Sequence, residues 1–169
     1  MIVVMMGVTG SGKTVVGSAL AKALGWPFLD GDDFHPPANV AKMASGTPLV
    51  DADRWPWLDR LAAEMGAILA RGGNAVLACS ALRQAYRDRL AASAKAPGDV
   101  RFVYLKADYE TIAARLAQRK HRYMPASLLA SQFATLEEPT DAIVVDASAT
   151  VADEAARIRE QLHGGLVTE

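Results

Sequence analysis

At 169 residues, half of them apolar and 22% charged, the chain has the length and composition of one folded domain with a buried core, which argues against a disordered chain and leaves only the tail at His163-Gly164-Gly165 as a loose end. Its formal net charge of -1 supplies no general attraction to nucleic acid or to an anionic membrane, so any anion site must be local. A single cysteine, Cys79, excludes an intrachain disulfide and a cysteine metal cluster and fits a reducing compartment.

The opening MIVVMM is apolar but too short to cross a bilayer, and it lacks the basic flank and cleavage site of a signal peptide. The expectation is a cytoplasmic protein with no membrane contact. Ile2–Met6 reads as a buried strand, being a continuous apolar run. Lys13–Leu24 reads as a helix with Val15, Val16, Ala19, Leu20, Ala23 and Leu24 on one stripe, ended by Gly25. A short strand over 27–30 and a short helix over 36–44 follow, the helix with proline in its first turn, and then a loop over 46–51. Leu58, Leu61, Met65, Ile68 and Leu69 predict a helix over 53–70, stopped by Gly72 and Gly73. Beyond it the pattern predicts strands over 75–79, 100–106 and 143–146, with helices over 83–92, 108–117, 127–136 and 151–162. Strand and helix alternate throughout. The expected fold class is therefore α/β, a three-layer arrangement of one parallel sheet with helices on both faces and ligands at the strands' carboxyl ends.

Residues 7–14, GVTGSGKT, match G-x-x-x-x-G-K-[ST] between a buried strand and an amphipathic helix, the context that separates a phosphate-binding P-loop from an ordinary glycine turn. Glycines let the backbone turn its N–H groups inward, and the helix N-terminus adds partial positive charge. Gly7, Thr9, Gly10, Ser11, Gly12, Lys13 and Thr14 are the expected nucleotide-binding residues. Lys13 would bridge the β- and γ-phosphates as a catalytic group, and the Thr14 hydroxyl would ligate Mg²⁺. The N/T-K-x-D signature of guanine recognition is absent, which favours ATP.

Asp30 and Asp32 follow the second strand. Read as an extended segment, their spacing puts both carboxylates on one side. Asp30 could then hold Mg²⁺, directly or through water, while Asp32 orients and deprotonates an acceptor hydroxyl. The competing reading is a capping cluster before a proline turn, and Asp33 fits that role. Three histidines, at 35, 121 and 163, have no metal-ligand spacing, so His35 is expected to hydrogen-bond substrate.

Longer runs point further. GVTGSGKT at 7–14, LDGDDFHPPANVAKMASGTPLVDADRWPWL at 29–58, CSALRQAYRDRL at 79–90, FVYLKAD at 102–108 and SQFATLEEP at 131–139 together resemble the gluconate kinase (gluconokinase) family of P-loop small-molecule kinases. The resemblance implies phosphorylation of D-gluconate to 6-phospho-D-gluconate by ATP with Mg²⁺, in a cytoplasmic homodimer. The product would feed the pentose phosphate or Entner–Doudoroff routes. It also implies a nucleoside-kinase type of P-loop fold in a single domain over 1–169, with a five-stranded parallel core, an acceptor region at about 35–70 and a lid at about 118–126. Its acceptor site maps onto Asp32, His35, Asn39, Lys42, Arg54, Ser80, Arg83, Arg87 and Gln132.

Arginine can grip a carboxylate with two parallel hydrogen bonds, and Asn, Gln, Ser and His can read hydroxyls. Arg54 could instead pair with Asp51 or Asp53 at the surface. Arg83 and Arg87 are spaced to share a helix face, which is either a site or a solvated surface. Trp55 and Trp57 read as packing. Arg115, ahead of the lid, and Arg119 within it are the expected phosphate contacts, Arg119 as a catalytic cation. The family's R-K-x-H-F pattern is replaced here by RKHRY, so Arg122 takes the histidine's position. A kinase for another sugar acid or polyol and a non-catalytic ATP-binding regulator remain the alternatives. A nucleic-acid-dependent ATPase would require a basic stripe with interleaved aromatics, which the chain lacks.

Overall fold

The computed structural model describes residues 1–118 and 126–164. Its centre is β1 (Ile2–Met6), all five residues of which are wholly buried. A strand can be apolar throughout only when both faces of its sheet are covered. The remaining elements are α1 (Lys13–Leu24), β2 (Phe28–Asp30), a 3₁₀ turn (Gly31–Phe34), α2 (Pro37–Ala44), α3 (Asp51–Ala70), β3 (Ala75–Ala78), α4 (Gln84–Ala91), β4 (Val100–Lys106), α5 (Tyr109–Ala117), α6 (Ala126–Thr135), β5 (Ile143–Asp146) and α7 (Val151–Gly164). The five strands lie in the order β2-β3-β1-β4-β5, every pair parallel, with Ile2 opposite both Ala75 and Val100.

Alternation along β1 divides the core. Ile2, Val4 and Met6 pack with Trp57, Leu58, Leu61 and Met65 of α3 and with Tyr86 and Leu90 of α4. Val3 and Met5 face the other way, against Val16 and Leu20 of α1 and Ala155, Ile158 and Leu162 of α7. Each large apolar side chain buried in this way contributes about 1.5–3 kcal/mol before the entropy of ordering it is subtracted. The three expected layers are therefore present.

The chain leaves β1 for the sheet edge at β2, returns through β3, and then crosses β1 to reach β4. This reversal makes a crevice at the carboxyl end of β1, where α/β sheets bind ligands. Element ends moved by one or two residues from their predicted places. The clearest case is α3, which starts at Asp51, because the Asp53 carboxylate accepts the Val50 N–H at 2.9 Å and caps the first turn. Among the described residues no helix is long and apolar enough to cross a membrane.

Candidate active site

The loop between β1 and α1 has the backbone of an anion cradle. Gly7, Gly10 and Gly12 all have positive φ, and Gly12 caps α1 without a side-chain hydrogen bond to the first-turn N–H groups. Gly7 is required on two counts: its φ is 141°, and a Cβ there would lie 2.9 Å from both the Leu105 carbonyl and Ser11 Oγ. The Ser11 hydroxyl is buried with no hydrogen-bond partner, an orphan that a phosphate oxygen would satisfy. Lys13 Nζ donates to the carbonyls of Gly7 and Val8, at 3.0 Å each, and so braces the loop. These residues fit a nucleotide polyphosphate.

Asp30 stands beside this cradle. Its Oδ2 accepts from Thr14 Oγ1 at 3.3 Å, tying the end of β2 to the first turn of α1. Two hard oxygen donors at that spacing fit Mg²⁺, which takes few protein ligands and completes its shell with water and phosphate. Among the described residues no group of three or more His, Cys, Asp or Glu could hold a metal by itself. Below them lies Cys79, wholly buried, its thiol pushed up to about 12 by burial, with Lys13, Asp32 and Asp30 all near enough to act on it electrostatically. The cysteine is a packing residue. The charges that act on it come from both the cradle and the aspartate turn.

The extended segment expected through Asp32 is not found. Gly31–Phe34 winds into a 3₁₀ turn capped by Asp30, whose Oδ1 accepts the Asp32 N–H at 3.1 Å. A strand continuing past Asp30 would have left that N–H without this partner. Gly31 also presses on β3, where a Cβ would come within 2.5 Å of the Ala78 carbonyl. Trp57 Nε1–H donates to the Gly31 carbonyl at 2.7 Å, locking the turn to α3. The capping reading thus applies to Asp30 as well as its position beside Thr14. The Asp32 side chain is 70% exposed.

On the acceptor side, His35 is buried and stacked on Trp57 with centroids 4.2 Å apart. Burial lowers its pKa, the Asp32 charge opposing and Arg54 adding to the effect, so the ring is neutral at pH 7. Asn39, 3% exposed, bonds to His35 Nδ1 at 3.2 Å and to the Asp53 carbonyl at 2.9 Å. Lys42 is engaged with the Asp53 carboxylate at 2.8 and 3.0 Å, an ion pair that, with the Val50 N–H, holds that carboxyl below its ordinary range. Asn39 and Lys42 were expected as substrate contacts. Here they brace the α2–α3 junction.

Arg54 and Arg83 converge on Asp51. Arg83 Nη1 is 3.0 Å from one carboxylate oxygen and Arg54 Nη1 is 4.0 Å from the other, which also accepts from Tyr86 Oη. Arg54 Nη1 also lies 3.4 Å from Tyr86 Oη. Burial, then the hydrogen bond to Asp51, raises the Tyr86 pKa. The surface-pair reading of Arg54 is thus met in part, but the pair is clustered with a second arginine and a phenol. Tyr86 was not picked out from the sequence. Its place one helical turn after Arg83 was the available signal.

Arg87 does not share an open face with Arg83. It is 2% exposed, with Nη1 donating to the carbonyls of Ala81 and Leu82 and Nη2 to Gln84 Oε1. Ala81 has a φ of 45°, a conformation that costs a non-glycine residue about 1–2 kcal/mol, and Arg87 holds the turn that contains it. Arg87→Met should leave the buried Ala81 carbonyl unpaired, while the Leu82 carbonyl keeps the Glu137 N–H at 2.8 Å, and lower unfolding free energy by about 2 kcal/mol. A loss below about 1 kcal/mol in urea titration would show that the turn stands without it.

The remaining expected contacts are dispersed. The Ser80 carbonyl accepts the Gly7 N–H at 3.2 Å, tying the end of β3 to the cradle. Gln132 on α6 was expected at the acceptor, yet both ends of its amide bind Thr9: Oε1 accepts the Thr9 N–H at 2.7 Å and Nε2 donates to Thr9 Oγ1 at 3.0 Å. Arg115 turns its guanidinium to the Ala147 carbonyl beyond β5. Arg119, and with it the basic run of the expected lid through His121 and Arg122, lies outside the described residues.

Comparison with known proteins bears on this arrangement. The family model described as "AAA domain" matches residues 2–139. A protein named probable gluconokinase from Xenopus tropicalis is 49% identical over 152 residues, 83% of this chain and 80% of the relative. A gluconokinase crystal structure from Sinorhizobium meliloti 1021 superposes with a TM-score of 0.81 at 43% identity, covering 96% of this chain and 95% of that one. A sugar kinase from Janibacter sp. HTCC2649 superposes with a TM-score of 0.86 at 40% identity, covering 99% and 98%. The matches run through the cradle, the 3₁₀ turn and α3 alike, and on that breadth the chain belongs to the gluconokinase family of P-loop kinases.

Proposed function

We propose that this chain transfers the terminal phosphoryl group of ATP to a hydroxyl of D-gluconate, releasing ADP and 6-phospho-D-gluconate. The observation that carries the reading is the 3.3 Å contact between Thr14 and Asp30, which joins the phosphate cradle to the turn bearing Asp32. Donor and acceptor can therefore meet in one crevice. In this reading the first-turn N–H groups of α1 and Lys13 hold the phosphates. Thr14 and Asp30 would hold Mg²⁺, which supplies charge neutralisation on the phosphate oxygens. Asp32 accepts the hydroxyl proton as the new O–P bond forms and the bond from the γ-phosphorus to the bridging oxygen of ADP breaks.

Arg54 and Arg83 supply the cationic pair that a sugar acid requires, matched to its one carboxylate, while His35 stands behind Asp32. Arg115 and Arg119 would approach the phosphates from the lid side, Arg115 by leaving the Ala147 carbonyl. The enzyme works as a single domain over 1–169, in the cytoplasm, as a homodimer, as the family resemblance implies.

The test is ADP release with a panel of sugar acids and polyols at fixed Mg-ATP. Gluconate should give the highest kcat/KM, and equal rates with several acids would overturn the choice of substrate. ADP release independent of any acceptor would favour an ATPase or sensor. Arg54→Ala should raise the gluconate KM by roughly tenfold or more, the value of one charged hydrogen bond, while the ATP KM stays put. Unchanged gluconate kinetics would return Arg54 to the role of a surface ion pair.

A further inference from the structure

The hydrogen bonds around Asn39 determine which nitrogen of His35 carries the proton. A backbone carbonyl can only accept, so the Asn39 atom 2.9 Å from the Asp53 oxygen must be the amide nitrogen. That same Nδ2 lies 3.2 Å from His35 Nδ1. Its second hydrogen therefore points at Nδ1, which must accept, and the imidazole proton is left on Nε2. Asn39 is buried and cannot reorient into solvent. The plane of the ring is set independently by Trp57, stacked at an interplanar angle of 16°. Trp57 is in turn bonded through Nε1 to Gly31, the residue that opens the turn bearing Asp32. The outer nitrogen, Nε2, faces Asp32 Oδ1 at 4.0 Å, a gap that rotation of the exposed Asp32 side chain can close.

We propose that Asn39 is a positioning residue for phosphoryl transfer, holding His35 as its Nε2–H tautomer so that the ring presents a donor to one oxygen of the Asp32 carboxylate while the other takes the hydroxyl proton. Asn39 touches no substrate in this scheme and acts through His35. The wrong tautomer would turn a ring lone pair toward the carboxylate, repelling it and leaving its orientation free. Burial keeps the ring neutral, so a single tautomer is chemically meaningful; the charges that act on it are Asp32, which favours protonation, and Arg54, which opposes it. The proposal rests on reading Asp32 as the base.

Nitrogen-15 NMR of the imidazoles tests it on the whole 169-residue chain, which contains three histidines. His35→Gln identifies the resonances of His35 by their loss. The wild-type ring should show a pyridine-like Nδ1 and a protonated Nε2. Asn39→Asp offers only acceptors, so it should move the proton to Nδ1 or charge the ring, and kcat should fall about tenfold or more, within the range set by acid-base positioning, while the ATP KM is retained. Asn39→Ala, should the aspartate variant not fold, ought to give averaged ring shifts and an intermediate kcat. Protonated Nδ1 in the wild-type enzyme overturns the inference, and that result does not depend on what Asp32 does. Altered tautomers with kcat within twofold of wild type would overturn the positioning role. Failure of the base reading is recognised separately, by an Asp32→Asn variant that keeps its turnover while the His35 spectrum is as described.

Discussion

Asp32→Asn is expected to reduce kcat by about three orders of magnitude while ATP binding stays near wild type. The substitution keeps the shape of the side chain and removes its charge and basicity. Little structure depends on that carboxylate: it is 70% exposed, and the folding contacts of the residue run through its backbone N–H and carbonyl, to Asp30 and to the His35 N–H. The thermal midpoint should accordingly move little, so a lost rate can be read as lost chemistry. Steady-state kinetics beside titration with a nucleotide analogue separates the two. A kcat within about threefold of wild type would remove the base from the mechanism and leave proton transfer to solvent.

Lys13→Ala should also cost turnover about 10²–10³-fold, through a different route. The ammonium is the cation carried on the cradle itself, and charge on the transferring group is what a P-loop lysine stabilises. Both nucleotide affinity and kcat should therefore fall. Because Lys13 also donates to the Gly7 and Val8 carbonyls, the variant should lose about 1–2 kcal/mol of stability as well. Lys13→Arg, which restores charge with the wrong shape, should recover more of the stability than of the rate. Calorimetric ATP titration together with single-turnover kinetics would show this. A wild-type kcat in Lys13→Ala would mean that the phosphates are held by backbone alone.

Some of this was legible because local chemistry dictates it. The buried run of β1, the stop at Gly25 and the glycines of the cradle follow from steric and hydrophobic rules that act within a few residues, and all are found as read. Other features required contacts across long separations. The Asp30–Asp32 spacing allowed either a strand or a cap, and the cap prevailed because Trp57 and the Ala78 carbonyl act on Gly31 from other elements. Arg87 at helical spacing from Arg83 allowed either a shared substrate site or a solvated face, and the site was the expectation. Its burial depends on the turn at Ala81 coming back over the N-terminus of α4, which periodicity cannot express. Gln132 reaches Thr9 across 123 positions, so its role as a brace on the cradle was invisible to any local reading.

The central place of β1 also bears on how the chain is made. Ile2–Met6 is synthesised well ahead of its two partner strands, which begin only at residues 75 and 100. Through most of synthesis, five consecutive apolar residues with no charge among them have no edge to join, the kind of segment that aggregates when left waiting. The nascent enzyme should depend on a holding chaperone until β4 emerges, and refolding at high protein concentration should be the least forgiving step in preparing it.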